Sequence, residues 1–386
     1  MRTAARIHRL PPYLFAEIDR KVAAALAEGA DIISFGVGDP DLPTPDHVVE
    51  ALREAALDPA SHRYPSYVGM PELRSAIASF YERRFKVSLD PDGAIQPLVG
   101  IKEGIFHLPV AFVDPGRIAL IPDPAYPVYE TGTLLAGGVP YLVPLRAEND
   151  FLPDLGSIPK DVLKKASVLW LNFPGNPSAA TVDRSFFEDA VEFCMRHDLL
   201  LAHDAAYAEI TYDGYVAPSA LEVEGAQECA VEFYSLSKTY NMTGWRIGWV
   251  AGAPVAIEAM KRLKTNIDSG IFDAVQRAAI AALEGPQEQL RETVERYRAR
   301  RDLLCEGLSS MGIDVSPPRG SIYLWVPVPK GHSSESFATF LLEEAAIVVA
   351  PGNGYGPSGE GFVRFSLTVS DDRLAEGVER LRRVVA

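Results

Sequence analysis

The feature that most constrains this chain is a recurrence of short apolar runs rich in β-branched residues, each closed by Gly, Pro, Asn or Asp and followed by a helical pattern. The runs are Ile95–Val99, Ile118–Ile121, Val168–Phe173, Leu199–Ala202 and Val231–Tyr234. Strands that alternate with helices predict βαβ units, and so a largely parallel sheet covered by helices on both faces. Just after these runs come IKEG, DPAY, GNP, HDAAY and SLSK. The chemically capable residues therefore collect at strand C-termini, the edge where open α/β sheets bind ligands.

The two ends of the chain read differently. Tyr13 to Gly29 has a helical pattern, and the run IISFGVG that follows breaks into a Gly-Pro segment ending at Pro45. From Phe272 to Ser310 a helical stretch, interrupted near Gly285-Pro286, leads into SIYLWVPV; a helix near Ser336–Ala345, the strand-like FVRFSLTV and a last helix from Asp371 follow. This is an α+β pattern. The expected organisation is a large α/β domain over residues 46–271 and a smaller domain over 272–386, with the arm 1–45 packed against it. A length of 386 residues suits two domains at roughly 100–200 residues each. No repeat or Gly/Ser linker separates them, which predicts an extensive shared interface.

A net charge of −15 without a Lys/Arg run argues against nucleic acid or an anionic membrane as partner. It does not argue against a small anionic ligand, because a few cations or backbone N–H groups set the local field. Cys194, Cys229 and Cys305 are odd in number and widely spaced, which suits neither a disulfide framework nor a metal cluster. No metal is expected. Arg2 to Arg20 lacks a continuous apolar core, and no stretch approaches the roughly 20 apolar residues of a membrane span. A cytoplasmic, soluble protein is the expectation.

The segment SLSKTYNMTGWRIG, Ser235 to Gly248, carries the sharpest chemical signal. Most lysines are solvated surface charges. Lys238, however, stands at the end of an apolar strand, between hydroxyls and eight residues before Arg246. An apolar setting and a neighbouring cation depress a lysine pKa and free its amine for Schiff-base formation with a carbonyl. Ser235, Ser237 and Arg246 offer donors suited to a phosphate. A cofactor with both an aldehyde and a phosphate fits this set. Gly100-Ile101-Lys102 follows a strand and opens a helix, whose free N–H groups can hold the same phosphate. Taken alone, Asp204 reads equally well as a loop cap, and Tyr126 as a core or turn tyrosine.

This stretch resembles the active-site lysine region of class I aminotransferases, the fold-type I enzymes that use pyridoxal 5'-phosphate, and the other strand ends match the same family. The resemblance implies that Lys238 carries the cofactor as a Schiff base and that Asp204 pairs with the pyridine nitrogen, strengthening the ring as an electron sink. It implies that Tyr207 and Asn176 bond the phenolic oxygen and that Tyr126 stacks on the ring. It assigns the substrate α-carboxylate to Arg364, with Gly38 and Asn176 beside it. Tyr64, in HRYPSYVG, matches a tyrosine that reaches the phosphate of the neighbouring subunit, so a homodimer with shared active sites is implied, its boundary near NIDSGIF.

Within the class, GDPDLPTP, HRYPSYVG, GTLLAGG, NIDSGIF, GPQEQ and PVPKGH are most similar to LL-diaminopimelate aminotransferases. That likeness runs from PPYLFAEIDR to the last helix and implies diaminopimelate with 2-oxoglutarate and glutamate as substrates, in lysine biosynthesis. Three positions depart from the pattern. Ile101 replaces a hydroxyl residue, Gly175 a second Asn, and Ser178-Ala179 a Thr-Gly pair. Ala179 would carry a steric cost if the loop requires positive φ. Glu103, Asn266 and Asp268, from this chain or from the partner subunit, are polar candidates for the distal groups of a dibasic, dicarboxylic substrate. Other readings remain open: an aminotransferase for alanine, aspartate or a similar donor, a C–S lyase on the same scaffold, or a cofactor-sensing regulatory module.

Overall fold

The computed structural model describes residues 1–10, 14–27 and 29–385. Its centre is a seven-stranded sheet in the order Ile95–Leu98, Gly248–Gly252, Ala230–Ser235, Leu200–Asp204, Ala166–Asn172, Ile118–Asp123, Val139–Pro144. The pairs are parallel except on either side of Gly248–Gly252, which runs against its two neighbours. All five apolar runs named above are strands of this sheet. Val139–Pro144 and Gly248–Gly252 were not anticipated: the first is half-exposed, so its pattern is weak, and the second is a GWVAG run with little β-branched character.

Helices cover both faces, as the fully buried strands require. On one face lie Pro71–Phe85, Arg184–His197 and Asp273–Glu284, which share a core with Trp249 and Leu201. On the other lie Ile101–Phe112, Val128–Ala136 and Pro254–Lys264, packed around Trp170, Phe233 and Val250. The helix Asp273–Glu284, expected in the smaller domain, packs on Asp46–Leu57 and Pro71–Phe85 of the sheet-bearing body. Its alanine face and the contact between Met70 N–H and Gln276 Oε1, 2.7 Å, hold it there.

The C-terminal part is α+β. Tyr323–Pro327, Phe362–Ser366 and Ala350–Pro351 form an antiparallel sheet, flanked by helices Glu288–Ser310, Ser334–Ala345 and Asp371–Val385. The N-terminal segment joins this part through Ile33–Ser34, which pairs in parallel with Ile347–Val348. A helix spans Leu14–Ala27; the expected start at Tyr13, like Glu28 near its end, lies outside the described residues. Phe35 is buried between Phe365 and Gly377, so the strand leading to Gly38 is anchored in the smaller part. Among the described residues, no helix is long and apolar enough to cross a membrane.

Candidate active site

Five strand ends of the large sheet and two strands of the small sheet converge on a cavity of about 480 Å³. Gly38, Ile101, Lys102, Tyr126, Asn176, Asp204, Tyr207, Ser235, Ser237, Lys238, Arg246 and Arg364 all line it. Strand topology explains the gathering, since parallel strands deliver all their following loops to one edge. Four cationic side chains face two carboxylates, Asp39 and Asp204. The site is thus locally positive in a chain whose net charge is −15.

Lys238 lies in a single helical turn, Leu236–Thr239, capped by the Ser235 hydroxyl, which accepts from Ser237 N–H at 3.1 Å. Its ammonium donates to the Gly38 carbonyl at 2.6 Å. Burial lowers its pKa below the ordinary lysine value; Arg364 and Arg246 act in the same sense, while Tyr323 and Asp39 oppose them. The amine is therefore easier to deprotonate than a surface lysine, as nucleophilic attack on a carbonyl requires.

Asp204 ends its strand with its side chain buried. Burial pushes its carboxyl up to about 6, against the pull of the Tyr129 hydroxyl, the Ala206 N–H and His203. Tyr129 Oη donates to Oδ2 at 2.7 Å and Ala206 N–H to Oδ1 at 3.2 Å. Asn172 donates to the Asp204 carbonyl at 2.6 Å and accepts from Asn176 N–H at 2.7 Å, locking two strand ends together.

Arg364 is 2 % exposed on a strand of the small sheet. It donates to Asn176 Oδ1 and to the Gly36 carbonyl, both at 2.7 Å, and its guanidinium lies over the Tyr323 ring, 3.9 Å from the centroid. A planar fork held on an aromatic face in this way suits two-point binding of a carboxylate. Tyr207 and Tyr323 share a hydroxyl–hydroxyl bond of 3.2 Å, and burial raises the Tyr207 pKa well above normal, keeping it a phenol.

At the other end of the cavity Arg246 adopts φ 55° and donates to the Thr243 carbonyl at 2.9 Å. A Cβ at Gly100, itself at φ 71°, would collide with that guanidinium. Glycine there lets the cation approach the N-terminus of the helix Ile101–Phe112, an arrangement suited to a phosphate. Ile101 brings no hydroxyl to this cradle, as the sequence anticipates. Ala179 takes φ 55°, the conformation that disfavours alanine, and Gly175 N–H closes its turn on Ala180 O at 2.9 Å.

Some expected residues lie elsewhere. Tyr64 is 86 % exposed on the surface, away from the cavity of its own chain. Glu103 and Asp268 do not line that cavity either, because they bind the buried Lys264 at 3.1 and 2.7 Å. Asn266 donates to Arg262 O at 2.8 Å. Conversely, Tyr129, Asn172, Tyr323 and Tyr355 belong to the site or its support and were not foreseen. Tyr129, one helical turn beyond Tyr126 in DPAYPVY, carried a usable signal; Tyr323 reads only as a core residue of an apolar strand.

A fold with a large α/β part and a smaller α+β part, and with a lysine, a buried aspartate and a buried arginine around one cavity, matches a known class. The family model for aminotransferase class I and II covers residues 30–381. The chain belongs to this family and is a transaminase. It is 53% identical to an LL-diaminopimelate aminotransferase of Moorella thermoacetica, over 100% of this chain and 99% of that one. An enzyme of the same name from Desulforudis audaxviator is 54% identical, over 98% and 97% of the two chains. Among solved structures, apo BacF of Bacillus subtilis superposes with a TM-score of 0.96 at 37% identity, over 100% and 99% of the chains.

Proposed function

We propose that this transaminase uses pyridoxal 5'-phosphate and moves the amino group of LL-diaminopimelate to 2-oxoglutarate. The observation that carries the cofactor is the donor set of the cavity. At one end stand Arg246, Ser235, Ser237 and the N–H groups of Ile101 and Lys102, with a glycine where a Cβ would not fit; at the other stand a buried carboxylate and a lysine of lowered pKa.

When bound, pyridoxal 5'-phosphate supplies an aldehyde that exchanges with amino groups and an electron-poor ring that takes up the electron pair left as a proton leaves the substrate α-carbon. Lys238 is the residue that would hold the aldehyde carbon, since its lowered pKa leaves the amine easier to free. With its amine free, Lys238 would take the proton from the substrate α-carbon as general base and hold it for return as general acid. Asp204 would pair with the ring nitrogen and favour its protonated form. Tyr207 and Asn176 would bond the phenolic oxygen, and Tyr126 would stack on the ring. Arg364, with Gly38 and Asn176, orients the α-carboxylate so that the scissile bond faces Lys238.

We assign the substrate from the full-length relatives that bear its name, at 50–54% identity over nearly all of both chains. The outward position of Tyr64, with Tyr67, Ile267 and Phe272 also exposed, supports a homodimer in which Tyr64 reaches the partner's phosphate.

A donor screen tests the reading. LL-diaminopimelate should give the highest kcat/KM with 2-oxoglutarate, and borohydride should fix the cofactor on Lys238. A higher kcat/KM for alanine, aspartate or an aromatic donor would remove the substrate assignment, and a label on another lysine would remove the assigned mechanism.

A further inference from the structure

The mechanism leaves one buried pair without a task. His203 and Glu232 are both 0 % exposed and are register partners on adjacent strands. Side chains alternate across a strand, so His203 points to the face opposite its neighbour Asp204, where its ring packs against Phe187 at 4.7 Å. Its Nδ1 lies 2.9 Å from Glu232 Oε2. Its Nε2 lies 3.1 Å from the Phe173 carbonyl, which can only accept. Glu232 also accepts from Tyr81 Oη at 3.0 Å, Ser219 Oγ at 2.9 and 3.0 Å, and Ala220 N–H at 3.2 Å.

Stability does not call for such a pair, because apolar residues of similar volume hold a core as well or better. Its location suggests another reason. The Phe173 carbonyl opens the turn that leads to Asn176, and Glu232 lies on the strand that ends at Ser235, just before Lys238. His203 itself precedes Asp204. One imidazole therefore ties together, from behind the sheet, the three strand ends that deliver Asn176, Asp204 and Lys238. It is also among the groups that favour the Asp204 carboxylate against burial.

We propose that His203, braced between Glu232 and the Phe173 carbonyl, is a positioning residue for Asp204, setting the place of the carboxylate that would meet the cofactor's ring nitrogen. The inference rests on the cofactor reading above. Its consequence is selective: losing His203 weakens the contact at the ring nitrogen and leaves the phosphate and aldehyde ends of the cavity intact.

The test compares two ligands. Full-length protein stripped of cofactor is titrated with pyridoxal 5'-phosphate and with its 1-deaza analogue, in which C–H replaces the ring nitrogen, following tryptophan fluorescence. In His203→Leu, affinity for the natural cofactor should fall about tenfold while affinity for the analogue stays within about twofold. Because this substitution strands a buried carboxylate, His203→Leu/Glu232→Gln and the milder His203→Gln are measured in parallel and should show the same selectivity. Equal losses for both ligands would reduce His203 to a packing brace and overturn the proposal, as would unchanged affinity for both. Failure of the unaltered protein to bind pyridoxal 5'-phosphate would instead overturn the cofactor reading.

Discussion

Tyr129 donates its hydroxyl to Asp204 Oδ2 at 2.7 Å inside the core, with the Tyr129 ring stacked on Trp170 at 4.7 Å. The aspartate is thus held by a residue that is itself fully buried and packed against Trp170. A carboxylate buried beside few donors is costly, and the rise of its pKa to about 6 from 3.8 expresses that cost.

The sign of the resulting pH dependence follows by linkage. Between about pH 4 and 6 the folded cofactor-free chain keeps a proton on Asp204 that the unfolded chain has released. Its stability contribution is full below 3.8 and is lost as pH rises through about 6. Asp204→Asn should therefore raise the stability of the cofactor-free protein at pH 8 by about 1–3 kcal/mol, a gain that shrinks towards pH 4, while transamination falls by orders of magnitude. Urea unfolding at several pH values checks the first part; equal or lower stability of the variant at pH 8 would contradict it.

Arg364→Lys tests the carboxylate fork. Lysine keeps the charge but loses the planar pair of donors and the stacking on Tyr323. The kcat/KM for every α-amino acid donor should fall about a hundredfold, roughly 2–3 kcal/mol, with cofactor affinity nearly unchanged. A loss confined to one donor would place Arg364 at a distal group instead.

Ala179 occupies φ 55° with its side chain buried. Ala179→Gly should relieve this strain and stabilise the protein by about 1 kcal/mol, with kcat within about twofold. Thermal unfolding of the two proteins decides the point, and a lower Tm in the variant would mean that the buried methyl outweighs the backbone strain.

Subunit mixing tests the shared site. Tyr64→Ala and Lys238→Ala chains should each be severely impaired alone. In a mixed dimer, one site combines an intact Lys238 with the partner's intact Tyr64, so activity should recover to about half of normal per mixed dimer. Demonstrated mixed dimers without recovery would show that each chain builds its own site.

The sequence by itself determined the sheet's chemistry-bearing edge. Strand periodicity and the polar residues just after each run are local, and in a parallel sheet they all go to one side, so the loops bearing Lys238, Asp204, Tyr207 and Asn176 share one edge; the roles of Asp204, Tyr207 and Asn176 came from resemblance. Resemblance supplied Arg364, whose strand lies in a different sheet and whose place against Asn176 depends on how the two parts pack. Only tertiary structure decided that Tyr129 supports Asp204, that Tyr323 underlies Arg364, and that Glu103 and Asp268 are committed to Lys264. Those relations join residues far apart in the chain through side-chain packing, which leaves no periodicity in the sequence. The helix Asp273–Glu284 shows the same division: its existence was written in local pattern, but its place on Asp46–Leu57 was set by the complementary apolar faces that the folded chain brings together.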